Sequence, residues 1–330
     1  MFTLSGGHVF PLYDGAVKAD PPMRIIDVRH EQTAVFAAEA TARLTRAPGL
    51  AVLTAGPGVT NGISAITTAH FNGSPVVVIG GRAPDYRWGA GSLQEFDHPA
   101  LLGPITKRAW TEHEPAGVGQ AVDEAFTLAA TPHRGPVFLD VSLEALFGAA
   151  EPRLSPRAAT RPDAAAGRAG SERAAGAPDQ GAIAEIAGLL ARSSRPVLVL
   201  GSDVWLDGAD AAARGAAEDL RLPVIANGQG RGILPAGHDL LVTRARSMAL
   251  GEADLVIVAG TPLDFRLGYG EFGGKNGTAR ASVVHVADGA AQIATHCELA
   301  ASAAGDLASF FIGLADQAAG TAAAARPWAA

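Results

Sequence analysis

The sequence predicts an α/β protein: two open parallel-sheet domains, each of three layers, joined by a linker. Three observations predict it. Short runs rich in Val, Ile and Leu alternate with helical stretches in two separate blocks. Continuous apolar runs of this kind mark parallel strands covered on both faces. Between the blocks, residues 151–180 are rich in Ala, Arg, Pro and Gly and hold few large apolar side chains, so they read as a linker. The length, 330 residues, suits two domains at roughly 100–200 residues each. The expected divisions are 1–148, a linker at 149–180, a second domain at 181–315 and an Ala-rich tail at 316–330.

The elements of the first block follow in order. Arg24–Val28 is a β-branched run and reads as a strand, and Glu31–Leu44 reads as a helix. Leu50–Thr54 is the next strand, Gly56-Pro57-Gly58 a turn, and Thr60–Phe71 a helix. Pro75–Gly80 is a strand, Val118–Ala130 a helix and Pro136–Val141 a strand. The second block repeats the style. Its strands are Pro196–Leu200, Pro223–Ala226, Leu255–Ala259 and Val283–Val286, with helices at 181–192, 208–220 and 244–251. Open sheets of this type bind ligands at the carboxyl ends of their strands.

Composition excludes several classes. Hydrophobic residues make up 48% and charged residues 18%, which rules out disorder over the whole length. The net charge is −7 and no basic stripe is visible, so a nucleic-acid partner is not expected. A single cysteine, Cys297, rules out a disulfide framework and a multi-cysteine metal cluster. The nine histidines show no zinc-ligand spacing, so no metal ligands are assigned. No apolar run approaches the 18 or so residues of a membrane span, and Met1–Gly7 lacks the pattern of a signal peptide. A cytoplasmic protein is the expectation.

Two places in the first block carry chemistry. Glu31 follows a strand and opens a helix within Arg29-His30-Glu31-Gln32. Such an acid is either favoured there by the helix dipole or held at a strand end to face a ligand and share a proton with a basic nitrogen. Gly56-Pro57-Gly58-Val59-Thr60-Asn61-Gly62 is a strand-to-helix turn. A dinucleotide fingerprint would need Gly at 61, where Asn stands, so that reading fails on spacing. The same turn lets backbone approach a flat ring closely.

The run from Arg29 through Gly81, RHEQTAVFAAEATARLTRAPGLAVLTAGPGVTNGISAITTAHFNGSPVVVIGG, closely resembles the pyrimidine-binding domain of thiamine-diphosphate enzymes, in the acetolactate synthase branch. The likeness covers most of residues 2–145 and contains several linked motifs in order. It implies that Glu31 hydrogen-bonds a ring nitrogen of the cofactor's pyrimidine and favours the tautomer that removes the thiazolium C2 proton. It implies decarboxylation of pyruvate and joining of the two-carbon unit to a second 2-keto acid. Gly6 and Gly7 match a Gly-Gly segment near the cofactor's amino group. Pro57 and Asn61 match the turn against the pyrimidine, and Gln94 matches a glutamine that lines the site. His8, Phe71 and Lys107 are weaker site-lining candidates.

Residues 181–312 resemble the central domain of the same enzymes, where some members bind FAD and others an ADP unit or nothing. Asp264 and Arg266 match the FAD-containing synthases, although Pro262 stands where those carry an arginine. Arg231 lies in Asn227-Gly228-Gln229-Gly230-Arg231-Gly232, one of the stretches that carry this likeness. Arg246 and Arg266 suit a diphosphate, and Asp288 suits a ribose hydroxyl. The runs Ala245–Leu250 and Leu267–Gly270 look more like oxalyl-CoA decarboxylases and 2-hydroxyacyl-CoA lyases. A lyase of that kind, or a non-catalytic nucleotide-binding fragment, is the alternative reading. The third domain of these enzymes carries Gly-Asp-Gly followed by Asn-Asn, which hold Mg²⁺ and the diphosphate. The nearest fragments here, Leu206-Asp207-Gly208 and Ala287-Asp288-Gly289, do not match. The helix that precedes the first strand in these enzymes is also missing from the sequence. The resemblance therefore implies a partner chain with the diphosphate-binding domain, or self-association, and little activity for the chain alone.

Overall fold

A computed structural model describes residues 1–151 and 176–319. The chain divides into two units, residues 1–173 and 174–330. The first holds a six-stranded sheet, the second a five-stranded sheet, and every strand pair in both is parallel. Most of the linker expected at 149–180 and of the tail expected at 316–330 lies outside the described residues.

In the first unit the strands are β1 (Phe2–Thr3), β2 (Ile26–Asp27), β3 (Gly49–Leu53), β4 (Val76–Gly81), β5 (Ala109–Glu112) and β6 (Val137–Val141). They lie in the order β2-β1-β3-β4-β6-β5. The central strands β4 and β6 are buried along their whole length, as their continuous apolar sequence requires. Helices α1 (Phe10–Lys18), α2 (Glu31–Thr45), α3 (Pro57–Asn61), α4 (Ile63–Asn72), α5 (His98–Leu102), α6 (Val118–Ala130) and α7 (Leu143–Phe147) connect them. One core packs Ala34, Val35 and Ala38 of α2 and Ile66 of α4 against β3, β4 and Phe138 of β6. A second lies between the other face of the sheet and Ala121, Ala125 and Ala129 of α6. These two cores are the outer interfaces of a three-layer unit.

The order contains a switch point. The chain leaves β1 towards β2 on one side of the sheet and leaves β3 towards β4 on the other. Adjacent connections that diverge open a crevice at the carboxyl ends of those two strands.

The second unit contains α8 (Gln180–Arg192), β7 (Pro196–Leu200), α9 (Ser202–Leu206), α10 (Asp210–Asp219), β8 (Val224–Ala226), α11 (Arg246–Glu252), β9 (Leu255–Ala259), β10 (Ser282–Ala287), β11 (Ala301–Ala304) and α12 (Leu307–Ala318). Its sheet runs β11-β10-β9-β7-β8, with a switch point between β7 and β9. Ile183, Ile186 and Leu190 of α8 and Phe310, Phe311 and Leu314 of α12 fill one face of the sheet, where Val197, Val258 and Leu263 belong to a core on the other.

Several local expectations change. The strand expected at Arg24–Val28 shrinks to two residues, Ile26 and Asp27. The helix expected at Thr60–Phe71 is two helices. α3 starts at Pro57, whose fixed φ suits a first turn. At Gly62 the ladder tightens, and its N–H bonds Val59 O three residues back. α12 runs through Ala318, across the boundary at 315.

Candidate functional site: a buried carboxylate at a switch point

Glu31 is the first residue of α2. His30 precedes it in extended backbone, and its Nδ1 accepts the Gln32 N–H at 3.1 Å, so the side chain caps the helix. This cap places the Glu31 carboxylate in the first turn, where the helix dipole favours negative charge. The residue is 7% exposed. Asn61, the last residue of α3, donates its Nδ2–H to Glu31 Oε2 at 3.0 Å. Glu31 Oε1 accepts no hydrogen bond from any described residue.

The other buried carboxylates of this unit serve the fold. Glu39, eight residues further along α2, accepts from Asn72 at 2.8 Å and Ser74 at 3.1 Å. Those residues precede β4, at the amino ends of the strands. Asp140 has both oxygens engaged, one with His98 and one with Arg82. Glu31 differs because it stands at the carboxyl ends, at the switch point.

The backbone around it is shaped to leave space. A Cβ on Gly6 would fall 2.3 Å from Thr54 Cβ, so the loops after β1 and β3 touch at the switch point. A Cβ on Gly58 would lie 2.6 Å from Thr54 Cγ2 and 3.7 Å from Glu31 Oε1. Gly7 is exposed and faces open space. Pro57 and Asn61 are exposed on the turn. Gln94 reaches the same turn, since a Cβ on Gly56 would sit 2.9 Å from Gln94 Cβ. Gln94 holds φ at +57°, a strained conformation for a residue with a side chain. Its loop is tied by Glu95, which accepts from the Gly89 and Ser92 amides at 2.9 and 3.1 Å. The structure thus gathers Glu31, Gly6, Pro57, Asn61 and Gln94 around one crevice.

The weaker candidates divide. His8 is buried beside Thr54, 3.4 Å from its Oγ1. Burial lowers its pKa, and a hydrogen bond with the Leu93 backbone opposes this. Lys107 donates to the carbonyls of Leu128 and Thr131, so it secures the end of α6. Phe71 is 72% exposed on α4, away from the crevice.

The buried chain Gly56–His98–Asp140–Arg82 escaped the sequence reading. His98 and Asp140 are 42 residues apart and belong to no motif. The detectable signal is a charged residue, Asp140, inside an otherwise apolar strand run, which implies a buried partner.

In the second unit, Asp264 and Arg266 pair with each other. The guanidinium gives three hydrogen bonds of 2.6–3.2 Å to the carboxylate. Arg246 donates to the Arg266 carbonyl at 2.8 Å. Burial raises the Asp264 pKa, but the hydrogen bonds and charge of Arg266 outweigh it and hold the carboxyl below its usual range. Arg231 is exposed after β8, and Asp288 is buried directly after β10. All five residues stand on the carboxyl side of this sheet.

Comparison with known proteins decides the family. Residues 1–101 match the model for the N-terminal TPP binding domain of thiamine pyrophosphate enzymes, and residues 183–314 match the model for their central domain. The chain belongs to the thiamine pyrophosphate enzyme family. Within that family it resembles acetolactate synthase large subunits. It is 45% identical over 270 residues to acetolactate synthase large subunit IlvG of Mycobacterium tuberculosis, covering 82% of this chain and 47% of that protein. It is 35% identical over 298 residues to 2-hydroxyacyl-CoA lyase 2 of Mus musculus and 34% over 296 residues to that of Homo sapiens, covering 82% of this chain and 46% of each. The chain spans about half the length of the curated relatives it matches. The N-terminal TPP binding domain match falls on the unit that holds the Glu31 crevice. Among the described residues no helix is long and apolar enough to cross a membrane.

Proposed function

We propose that this chain is a component of an acetolactate synthase-like enzyme, which decarboxylates pyruvate and joins the two-carbon unit to a second 2-keto acid. One observation carries the reading: Glu31, buried at the switch point, has one oxygen held by Asn61 and the other without a donor among the described residues. A pyrimidine ring nitrogen fits that donor set, because a carboxyl group there can hold a proton and share it with a basic nitrogen. Bound thiamine diphosphate supplies a thiazolium carbon that adds to a 2-keto acid carbonyl and takes up the electrons released with CO₂.

The chain's own residues have defined parts in this reading. Glu31 Oε1 holds the proton at the ring nitrogen. Asn61 fixes the plane of the carboxylate. Gly6 and Gly58 keep side chains out of the crevice so that a flat ring packs against backbone. Gln94 and Pro57 close its rim. The diphosphate end and its Mg²⁺ belong to a diphosphate-binding domain carried by a partner chain or reached through self-association. In the second unit, Arg231, Arg246, Asp264, Arg266 and Asp288 support an FAD or ADP unit. A purified chain with flavin absorbance would support FAD; a colourless chain that gains none on soaking would count against it.

The test is acetolactate formation from pyruvate with thiamine diphosphate and Mg²⁺. Little turnover is expected from the chain alone, and turnover on adding a chain with the diphosphate-binding domain. No turnover in any such mixture would contradict the reading. The likeness to 2-hydroxyacyl-CoA lyase 2 favours a second reading, cleavage of a 2-hydroxyacyl-CoA. Assaying the same mixture with that thioester separates the two.

A further inference from the structure

The turn that leads to the Glu31 crevice is held from beneath by a buried polar chain. His98, the first residue of α5, and Asp140 of β6 are both 0% exposed. His98 Nε2 accepts the Gly56 N–H at 2.8 Å. An amide N–H only donates, so Nε2 carries the lone pair and Nδ1 the proton. Nδ1 stands 3.0 Å from Asp140 Oδ1 and donates to it. The other oxygen, Asp140 Oδ2, accepts from Arg82 at 3.2 Å. Arg82 in turn stacks on Trp88, 3.6 Å from the ring centre. A carboxylate at this position therefore selects the tautomer, and the arginine makes a buried carboxylate tolerable.

What the tautomer holds is the bend itself. Gly56 has φ +57° and ψ −116°, a conformation that side chains rarely adopt. It is the cap of α3, and α3 ends on Asn61, the donor to Glu31. The path from His98 to the carboxylate thus runs through one short helix. The Phe138 and Phe96 rings flank the imidazole at 6.1 and 5.7 Å and limit its movement.

We propose that His98 is a positioning residue: its Nε2 fixes Gly56, and through α3 it sets the Asn61–Glu31 pair for the pyrimidine end of the cofactor. The last part rests on the function proposed above. A merely structural histidine would serve to satisfy Asp140, and the two roles use different ring nitrogens. His98→Gln places an amide oxygen where Nε2 stood, and His98→Asn places an amide where Nδ1 stood. His98→Gln therefore preserves the bond to Gly56, and His98→Asn preserves the bond to Asp140.

The experiment uses the full chain. Imidazole ¹⁵N NMR reads the tautomer, amide hydrogen exchange reads Gly56, and titration with thiamine diphosphate and Mg²⁺, in a mixture with a chain carrying the diphosphate-binding domain, reads the site. The expected wild-type result is a protonated Nδ1 and a protected Gly56 amide. H98Q is expected to keep that protection and to bind thiamine diphosphate within about threefold of wild type, where H98N exchanges faster at Gly56 and binds about tenfold more weakly. Equal behaviour of H98N and H98Q, or a proton on Nε2 in the wild type, would overturn the proposal. The tautomer is read without any substitution, so a variant that fails to fold does not remove the test. A wild-type chain with the expected tautomer and a protected Gly56 that binds no thiamine diphosphate even when combined with a chain carrying the diphosphate-binding domain would overturn the functional reading, and those two readouts would still support His98 as the residue that positions the turn.

Discussion

The two units order their first four strands alike around a switch point and differ in what that switch point presents. In both, a glycine after the first of the two strands lets the loops meet. A Cβ on Gly6 would strike Thr54 at 2.3 Å, and one on Gly201 would strike the Gly260 carbonyl at 2.1 Å. Beyond that contact they diverge. The first crevice holds a buried carboxylate with an oxygen that no described residue uses. The second sets neutral pairs beside buried acids: Asn227 donates to Thr261 Oγ1 at 3.0 Å, the Gln229 N–H to Ser202 Oγ at 3.1 Å, and Asp203 and Asp288 are buried just after β7 and β10. A further acid, Asp264, is chelated by Arg266. One switch point therefore presents an acid with an oxygen that no described residue uses, and the other presents acids that already have partners. The difference lies in side chains at the strand ends and not in the sheet, which is why function has to be argued from the site.

The largest stability effect is expected where a carboxylate is both buried and central. Asp140→Ala would remove the buried partner of Arg82, leaving it Asp85 at 3.5 Å, and release His98. A loss of about 3–5 kcal/mol follows for a broken buried pair, measurable by denaturant unfolding. In the second unit Asp254 joins α8 to β7, accepting from Ser193 Oγ, Ser194 N and Arg195 N at 2.5, 2.8 and 2.9 Å. Asp254→Ala is expected to cost about 1–3 kcal/mol by the same measurement. Asp264→Ala breaks a half-exposed pair and is expected to cost less than about 1 kcal/mol. Equal losses for Asp140→Ala and Asp264→Ala would erase the contrast between the units.

The smallest effect is a pH dependence. His285, in β10, is buried, with Nε2 donating to the Thr261 carbonyl at 3.1 Å and Nδ1 accepting from Ala294 N at 3.0 Å. Burial lowers its pKa from the ordinary 6.5, the bond to Thr261 opposes this, and the charge of His296 adds to the lowering. The unfolded chain thus takes up the proton first, so stability is full above about pH 6.5 and is lost as pH falls through the lowered value. His285→Gln is expected to reduce the slope of melting temperature against pH between 7 and 5. An unchanged slope would show that His285 does not titrate differently in the fold; His8, lowered in the same direction, keeps the slope from vanishing.

Much of this architecture was legible in the sequence, for a physical reason. Strands β3, β4, β7 and β9 are central and buried, so their apolar runs are unbroken, and β6 and β10 stay legible although Asp140 and His285 interrupt theirs. β5 and β11 went unread because both are edge strands. Ala109-Trp110-Thr111-Glu112 is partly exposed throughout, and Ala301-Ser302-Ala303-Ala304 is made of small residues without β preference. β1 is too short to give a pattern. Glu31, Asn61 and Gly6 were legible because they sit in contiguous motifs. The His98–Asp140–Arg82 chain was not, since three separated segments meet only once the sheet has formed.

The most direct measurement of the central claim is exchange of the thiamine diphosphate C2 proton in D₂O. It would compare wild type and Glu31→Gln, each combined with a partner carrying the diphosphate-binding domain. The account predicts that the variant, folded and with an unaltered melting temperature, slows exchange by about 10²–10⁴-fold, the range for removing a positioned proton-transfer group. Exchange at the wild-type rate would take Glu31 out of the chemistry and leave the crevice without its function.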